Sequence, residues 1–272
     1  MSDSSRQLVI RFQELTTVPD WVWNRVDLEF LCLSDNKLAA ISEEISRLSK
    51  LRALDLAHNA LRAVPDAIGD LPRLSDYLYL ADNQLTEFPA AVTRLAKLRY
   101  LGITHNRIEE LPESIGALAS LVELRAYNNR LAMVPASIGE LARLRELHLS
   151  NNMLKALPDS IGRLRELRIL DVRNNNIEAL PASIGDLHNL LGDTNAVHVS
   201  LDEQGRFAID EVVEGDTVRE VLQYVQFSAD ELIRTMRKRV EKALRDQKLT
   251  LDESRVLLRF YESGLEGYTY LE

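Results

Sequence analysis

Seven asparagines, Asn36, Asn59, Asn83, Asn106, Asn129, Asn152 and Asn175, recur at intervals of 23 residues, except for one interval of 24 between Asn59 and Asn83. A fixed period of this length marks a stack of identical units rather than one collapsed core. Around each asparagine lies the same apolar frame, as in Leu147, Leu149, Leu154, Leu157, Pro158, Ile161, Gly162, Leu164 and Leu167 around Asn152. Leu147 and Leu149 alternate along a short strand, so both point into the coil. Ile161, Leu164 and Leu167 bring the return segment back against the same core. A single unit of this kind cannot bury its own apolar face, so neighbours must stack. Each buried asparagine is expected to satisfy backbone groups in the bend, forming a ladder. Pro158 is expected to start the outer side with extended backbone, and Gly162 to end a short helical turn.

The array begins early. Gln13 stands 23 residues before Asn36, and Leu8, Ile10, Leu15, Val18, Pro19 and Val22 fill the frame around it. Trp21 and Trp23 add bulk suited to capping the open core end. Eight repeats fit between residue 8 and about residue 190. The extra residue before Asn83 falls near Ser75, Asp76 and Tyr77, which predicts a bulge at the strand entrance.

The frame around each asparagine resembles the leucine-rich repeat, and the recurring Leu-Pro-x-x-Ile-Gly-x-Leu at Leu111, Leu157 and Leu180, with Val variants at Val64 and Val134, is similar to the Ras-group intracellular class. The resemblance implies an α/β solenoid, a right-handed coil of about eight repeats, with partner proteins bound on the concave sheet and no catalytic residue. Fold alone does not name a ligand.

On that fold, residues at even offsets before each asparagine face away from the core. Tyr77, Tyr79, Tyr100 and Tyr127 gather there over small neighbours, Ala57, Ala81 and Gly102. Aromatic anchors dominate interface energetics, so this patch is the candidate binding site; a simple strand preference for tyrosine is the competing explanation. Asp55 and Asp82 favour a basic segment in the partner. A second zone holds Glu123, Arg125, Glu146, Asp171 and Arg173, and is expected to pair charges across strands as a solvated ladder; Arg125 and the outward-facing His148 also count among the partner-facing residues. The edge column reads Asp35, His58, Asp82, His105. Alternating Asp and His invites a metal, but His58 and His105 lie two strands apart, roughly 10 Å from the strand spacing, and no tetrahedral set is evident. A polar rim with a pH response fits better; within it, His58 and His105 join the partner-facing set.

After Pro181 the repeat fades. Residues 196–201 and 206–213 read as a hairpin around the Asp202–Gly205 turn. Asp216 caps a helix to about Phe227; Ser228 with Glu231, and Thr250 with Glu253, form capping boxes for two more, the last ending before Gly264. The tail, residues 191–272, is thus a small α+β module following an array of residues 1–190. Three blocks, residues 186–199, 215–226 and 264–272, resemble the C-terminus of biosynthetic arginine decarboxylases, pyridoxal-phosphate enzymes. That resemblance implies neither activity nor cofactor. The barrel with its Schiff-base lysine is missing, and the family's Gly-Ala-Tyr phosphate segment is replaced by Leu180, Pro181, Ala182 and Ser183. Two roles stay open for the tail: a cap over the last repeat, and a surface for self-association or for assembly with a decarboxylase.

Net charge is -9, which disfavours nucleic acid as partner. No apolar run is long enough to span a membrane. Cys32 is alone, so a cysteine-paired cap is impossible, and a reducing cytoplasm is expected; export without a cleavable signal stays open. No Cys/His metal spacing, Gly-x-Ser-x-Gly or P-loop occurs.

Overall fold

The computed structural model describes residues 4–187, and beyond them the backbone of strands at 198–201, 207–210, 261–262 and 265–266. Eight three-residue strands form one parallel sheet in strict chain order: β1 (Gln7–Val9), β2 (Phe30–Cys32), β3 (Ala53–Asp55), β4 (Tyr77–Tyr79), β5 (Tyr100–Gly102), β6 (Glu123–Arg125), β7 (Glu146–His148) and β8 (Ile169–Asp171). The central residues Leu31, Leu54, Leu78, Leu101, Leu124, Leu147 and Leu170 pair in register from strand to strand and are all buried. The core is therefore a set of parallel leucine columns, continuous from Val22 to Leu187.

The asparagine ladder binds the columns together. Asn106 donates from Nδ2 to the carbonyls of Leu80, Ile103 and Thr104, and its Oδ1 accepts from the Leu85 amide at 3.0 Å. Asn83, Asn129, Asn152 and Asn175 repeat the scheme. Each side chain bridges to the repeat before it. The first unit has only Gln13 at this position, and Asn36 serves it by accepting from the amides of Gln13 and Leu15.

The extra residue is absorbed where predicted. Ser75 and Asp76 both donate backbone N–H to the Arg52 carbonyl, and Ser75 supplies the carbonyl for Arg99. Tyr77 then pairs with Ala53 in ordinary register. The bulge is confined to Asp76, whose carboxylate meets Arg52 at 3.1 Å.

On the outer side each unit makes one five-residue 3-10 turn. The turns at Asp66–Asp70, Ala90–Arg94, Glu113–Ala117, Ala136–Glu140, Asp159–Arg163 and Ala182–Asp186 all follow an extended proline, which is preset for an N-terminal position. Gly162 does not end its turn. It lies inside Asp159–Arg163, and the cap is Leu164. Its role is steric: a Cβ there would sit 2.4 Å from the Ser183 carbonyl oxygen of the next turn. Gly69, Gly116 and Gly139 face the following backbone in the same way. Where the position holds Trp23, Ser46 or Thr93 instead, adjacent turns approach less closely.

Two expectations are corrected. Trp23 is buried in the first unit's core, but Trp21 is 51% exposed and stands outside the core cluster; it is the first side chain past Asp20 on a turn whose next two residues take the inward positions. In the tail, β9 (His198–Leu201) pairs antiparallel with β10 (Phe207–Asp210), as the hairpin pattern predicts. The end of the third predicted helix is instead a strand, β11 (Tyr261–Glu262), paired antiparallel with β12 (Leu265–Glu266). The other two predicted helices lie outside the described residues.

Candidate functional site

The ladder register decides which outward side chains meet. Tyr77 lies opposite Ala53 and Tyr100, and Tyr79 opposite Asp55 and Gly102. Alanine and glycine leave room, so the two tyrosines of β4 lie down on the sheet and stack with centroids 4.5 Å apart and planes 17° from parallel. Phe30 meets Tyr77 edge-on at 6.2 Å. The Tyr79 ring covers Gly102, where a Cβ would be only 3.1 Å from Tyr79 Cδ1. Tyr100 stands beside the Arg99 guanidinium, 5.6 Å from its centroid. Tyr127 packs edge-on against His105 at 5.4 Å, at the rim. The predicted patch is therefore a central stack with two flanking rings, not one continuous surface.

Burial pushes the Tyr77 hydroxyl up to about 12, with the Asp55 charge adding to the effect; Tyr79 is also raised, first by burial. A spectrophotometric titration should show one phenol ionising near pH 12, well after the ordinary range near about 10. The fold favours neutral Tyr77, so the stability it lends is intact below the unfolded-state value and is lost as pH rises through the folded one. Tyr77→Phe should remove the late step.

In the charged zone, close pairs form between residues two apart along the chain. Arg125 bonds Glu123, His148 contacts Glu146 at 3.2 Å, and Arg173 bonds Asp171 at 2.9 Å, each pair two residues apart in sequence. Across the ladder the register sets Glu123 against Glu146, a like-charge pair that is unfavourable when directly opposed. The basic residue two places on in each strand offsets it. For Asp171, burial pushes the carboxyl upward, but hydrogen bonds from Arg173 and Ser150 prevail and hold it below the usual range.

Glu123, Glu146 and His148 bring one ligand atom each within 4.8 Å of one another, a grouping that lies away from the Asp and His edge column. The signal was present as Glu-x-His on β7 beside a glutamate on β6. Arg125 already occupies Glu123, so the group is balanced by its own cation and carries no metal assignment.

The composition of the edge column has a backbone cause. Asp35, His58, Asp82, His105, Asn128, Asn151 and Asn174 all have φ between 51° and 57°, the left-handed region in which Asn, Asp and His are enriched. The restriction of this column to Asp, His and Asn follows from that requirement. Asp82 lies between the two histidines, 3.6 Å from His58 Nδ1 and 3.8 Å from His105 Nδ1. Asp35 takes Arg11, whose hydrogen bond holds its carboxyl below the usual range.

Asp55 differs from the other acids of this face. Its Oδ1 accepts the Ala57 amide at 3.0 Å, and Cys32 Sγ lies 3.5 Å from Oδ2. Among the described residues no basic side chain pairs with it, whereas Asp35, Asp82, Glu123, Glu146 and Asp171 each have one. Burial pushes the neighbouring Cys32 thiol up.

The leucine-rich repeat family matches at residues 26–85, and the leucine-rich repeat region family at 89–154 and 136–192. Residues 26–192 are a leucine-rich repeat array. A leucine-rich repeat protein of Leptospira interrogans is 30% identical with a TM-score of 0.65, over 69% of this chain and 48% of that one. The leucine-rich repeat ectodomain of the Arabidopsis thaliana membrane receptor kinase GASSHO1/SCHENGEN3, solved in complex with CASPARIAN STRIP INTEGRITY FACTOR 2, is 26% identical with a TM-score of 0.56, over 72% of this chain and 26% of that one. Past the array, residues 218–271 match the arginine decarboxylase C-terminal helical extension. The biosynthetic arginine decarboxylase of Phocaeicola vulgatus is 49% identical over 86 residues, which is 32% of this chain but only 14% of that enzyme. The repeat array thus carries a decarboxylase-like C-terminal region that spans a small part of its enzyme relatives' length. No helix among the described residues is long and apolar enough to cross a membrane.

Proposed function

We propose that the array is a non-enzymatic scaffold that binds a protein partner on its concave sheet, through Tyr77, Tyr79 and Tyr100, with Tyr127 and the His58–Asp82–His105 rim at one edge and Arg125 and His148 at the other. The carrying observation is the Tyr77–Tyr79 stack, with Tyr79 38% exposed on an open sheet. Large rings held flat over small residues offer contact area at little entropic cost. The complex formed by the Arabidopsis relative supports the use of such an array for ligand capture. The division falls near residue 190, the location is cytoplasmic, and neither cofactor nor nucleic acid takes part. The test is affinity capture from source-cell lysate with the wild type and the Tyr79→Ala/Tyr100→Ala variant. Hot-spot truncations cost about 2 kcal/mol or more each, so the partner should disappear while thermal stability changes little. Undiminished capture would remove the site.

A second reading is favoured by the 49% identity of the tail to a decarboxylase. In it, the tail joins a decarboxylase assembly or its own copies, and the array is the recruiting arm. Capture of a decarboxylase by both forms would make this reading the leading one.

A further inference from the structure

We propose that Asp55, with the stacked rings of Tyr77 and Tyr79 beside it, is a seat for an arginine side chain in an extended segment of the bound partner. This deepens the concave-face reading and rests on it. Of six acids on the concave face and its edge column, Asp55 is the one without a basic partner among the described residues. Sequence alone put Asp82 on equal footing, but Asp82 is taken up between His58 and His105. A half-buried carboxylate with unmet charge is completed by a cation.

The surroundings select which cation. Tyr79 stands directly opposite Asp55 in the ladder and is exposed, while Ala53 and Ala57, two residues before and after Asp55, are too small to close the corner. Each carboxylate oxygen holds one local hydrogen bond and keeps further acceptor capacity. A guanidinium fits this double demand: its planar fork meets a carboxylate with two parallel bonds and its face stacks on an aromatic ring. The Asp55 charge is felt by both rings, adding to the effect of burial in raising each phenol. Arg11, which feels the Asp55 charge, is bound to Asp35 at 2.7 Å.

The probe is Nα-acetyl-L-arginine methylamide, titrated against the full chain while the aromatic NMR signals of Tyr77 and Tyr79 are followed. Its neutral isostere, the citrulline derivative, is the control. Saturating shifts of the two rings are expected with arginine, and about tenfold weaker binding with citrulline, in line with a charge-assisted pair and a cation–π contact. Asp55→Asn keeps the oxygen that accepts the Ala57 amide and should lose the same tenfold. Tyr79→Leu, at an exposed position, should weaken arginine but leave citrulline unchanged. Equal binding of arginine and citrulline, or an unchanged affinity in Asp55→Asn, overturns the seat. The outcome separates from that of the broader reading. If the tyrosine double variant loses its partner while arginine binds Asp55→Asn as well as wild type, the seat fails and the surface stands. If arginine discriminates but capture is unaffected, the surface reading fails instead.

Discussion

Replacing Asn106 with alanine should cost about 2–4 kcal/mol of stability, more than most surface changes and comparable to emptying a core leucine. The side chain is 8% exposed and makes four hydrogen bonds to backbone. Truncation leaves the Leu85 amide without an acceptor inside the core, and buried donors without partners cost roughly 1–3 kcal/mol each. Asn106→Asp separates the two halves of the role. It keeps an oxygen for Leu85 but loses all three donations, and it places a charge against three carbonyls, so it should be at least as damaging as alanine. Chemical denaturation of the three proteins reads this directly. A loss below about 1 kcal/mol in Asn106→Ala would show that water or local adjustment replaces the ladder.

The second large effect is expected from the back of the coil. A Cβ at Gly139 would lie 2.4 Å from the Ser160 carbonyl oxygen and 2.8 Å from Ser160 Cβ. Neither atom is the end of a flexible side chain. Overpacking of this sort typically costs about 1–3 kcal/mol, and Gly139→Ala should fall at the upper end. Gly102→Ala is the internal comparison, since its Cβ meets only a tyrosine ring at 3.1 Å, which can tilt away. It should cost clearly less. Thermal melts that place the two alanines together would mean that the repeats slide apart more readily than the backbone contact implies.

The repeat frame, the eight strands and the position of the bulge were all legible in the sequence, because period and apolar phase are properties of neighbouring residues. The tyrosine patch was legible for the same reason: even offsets from Asn83 and Asn106 put Tyr77, Tyr79 and Tyr100 on one face. What escaped was set by geometry between repeats. The pairing of Arg125 with Glu123 rather than with a strand neighbour depends on side-chain reach. The isolation of Asp55 appears only when Asp82 is seen between two histidines. The Asp and His edge column suggested chemistry but records a left-handed backbone. Gly162 suggested a turn end, when its constraint comes from Ser183 in the next unit.

The outer glycines set more than local fit. Ser137 and Ser160, which follow Gly116 and Gly139, are buried, whereas Ser114, which follows Thr93, is exposed. The inner ladder between β4 and β5 is nonetheless intact. A wider gap behind an unchanged hinge line is a wedge, and this one stands directly behind Tyr77, Tyr79 and Tyr100. The bend of the tyrosine-bearing face is thereby set from its reverse side. Residue 93 is thus a position from which the curvature beneath the tyrosines can be changed without touching the sheet itself: Thr93→Gly should let the outer turns of these two units close up as they do behind the glycines.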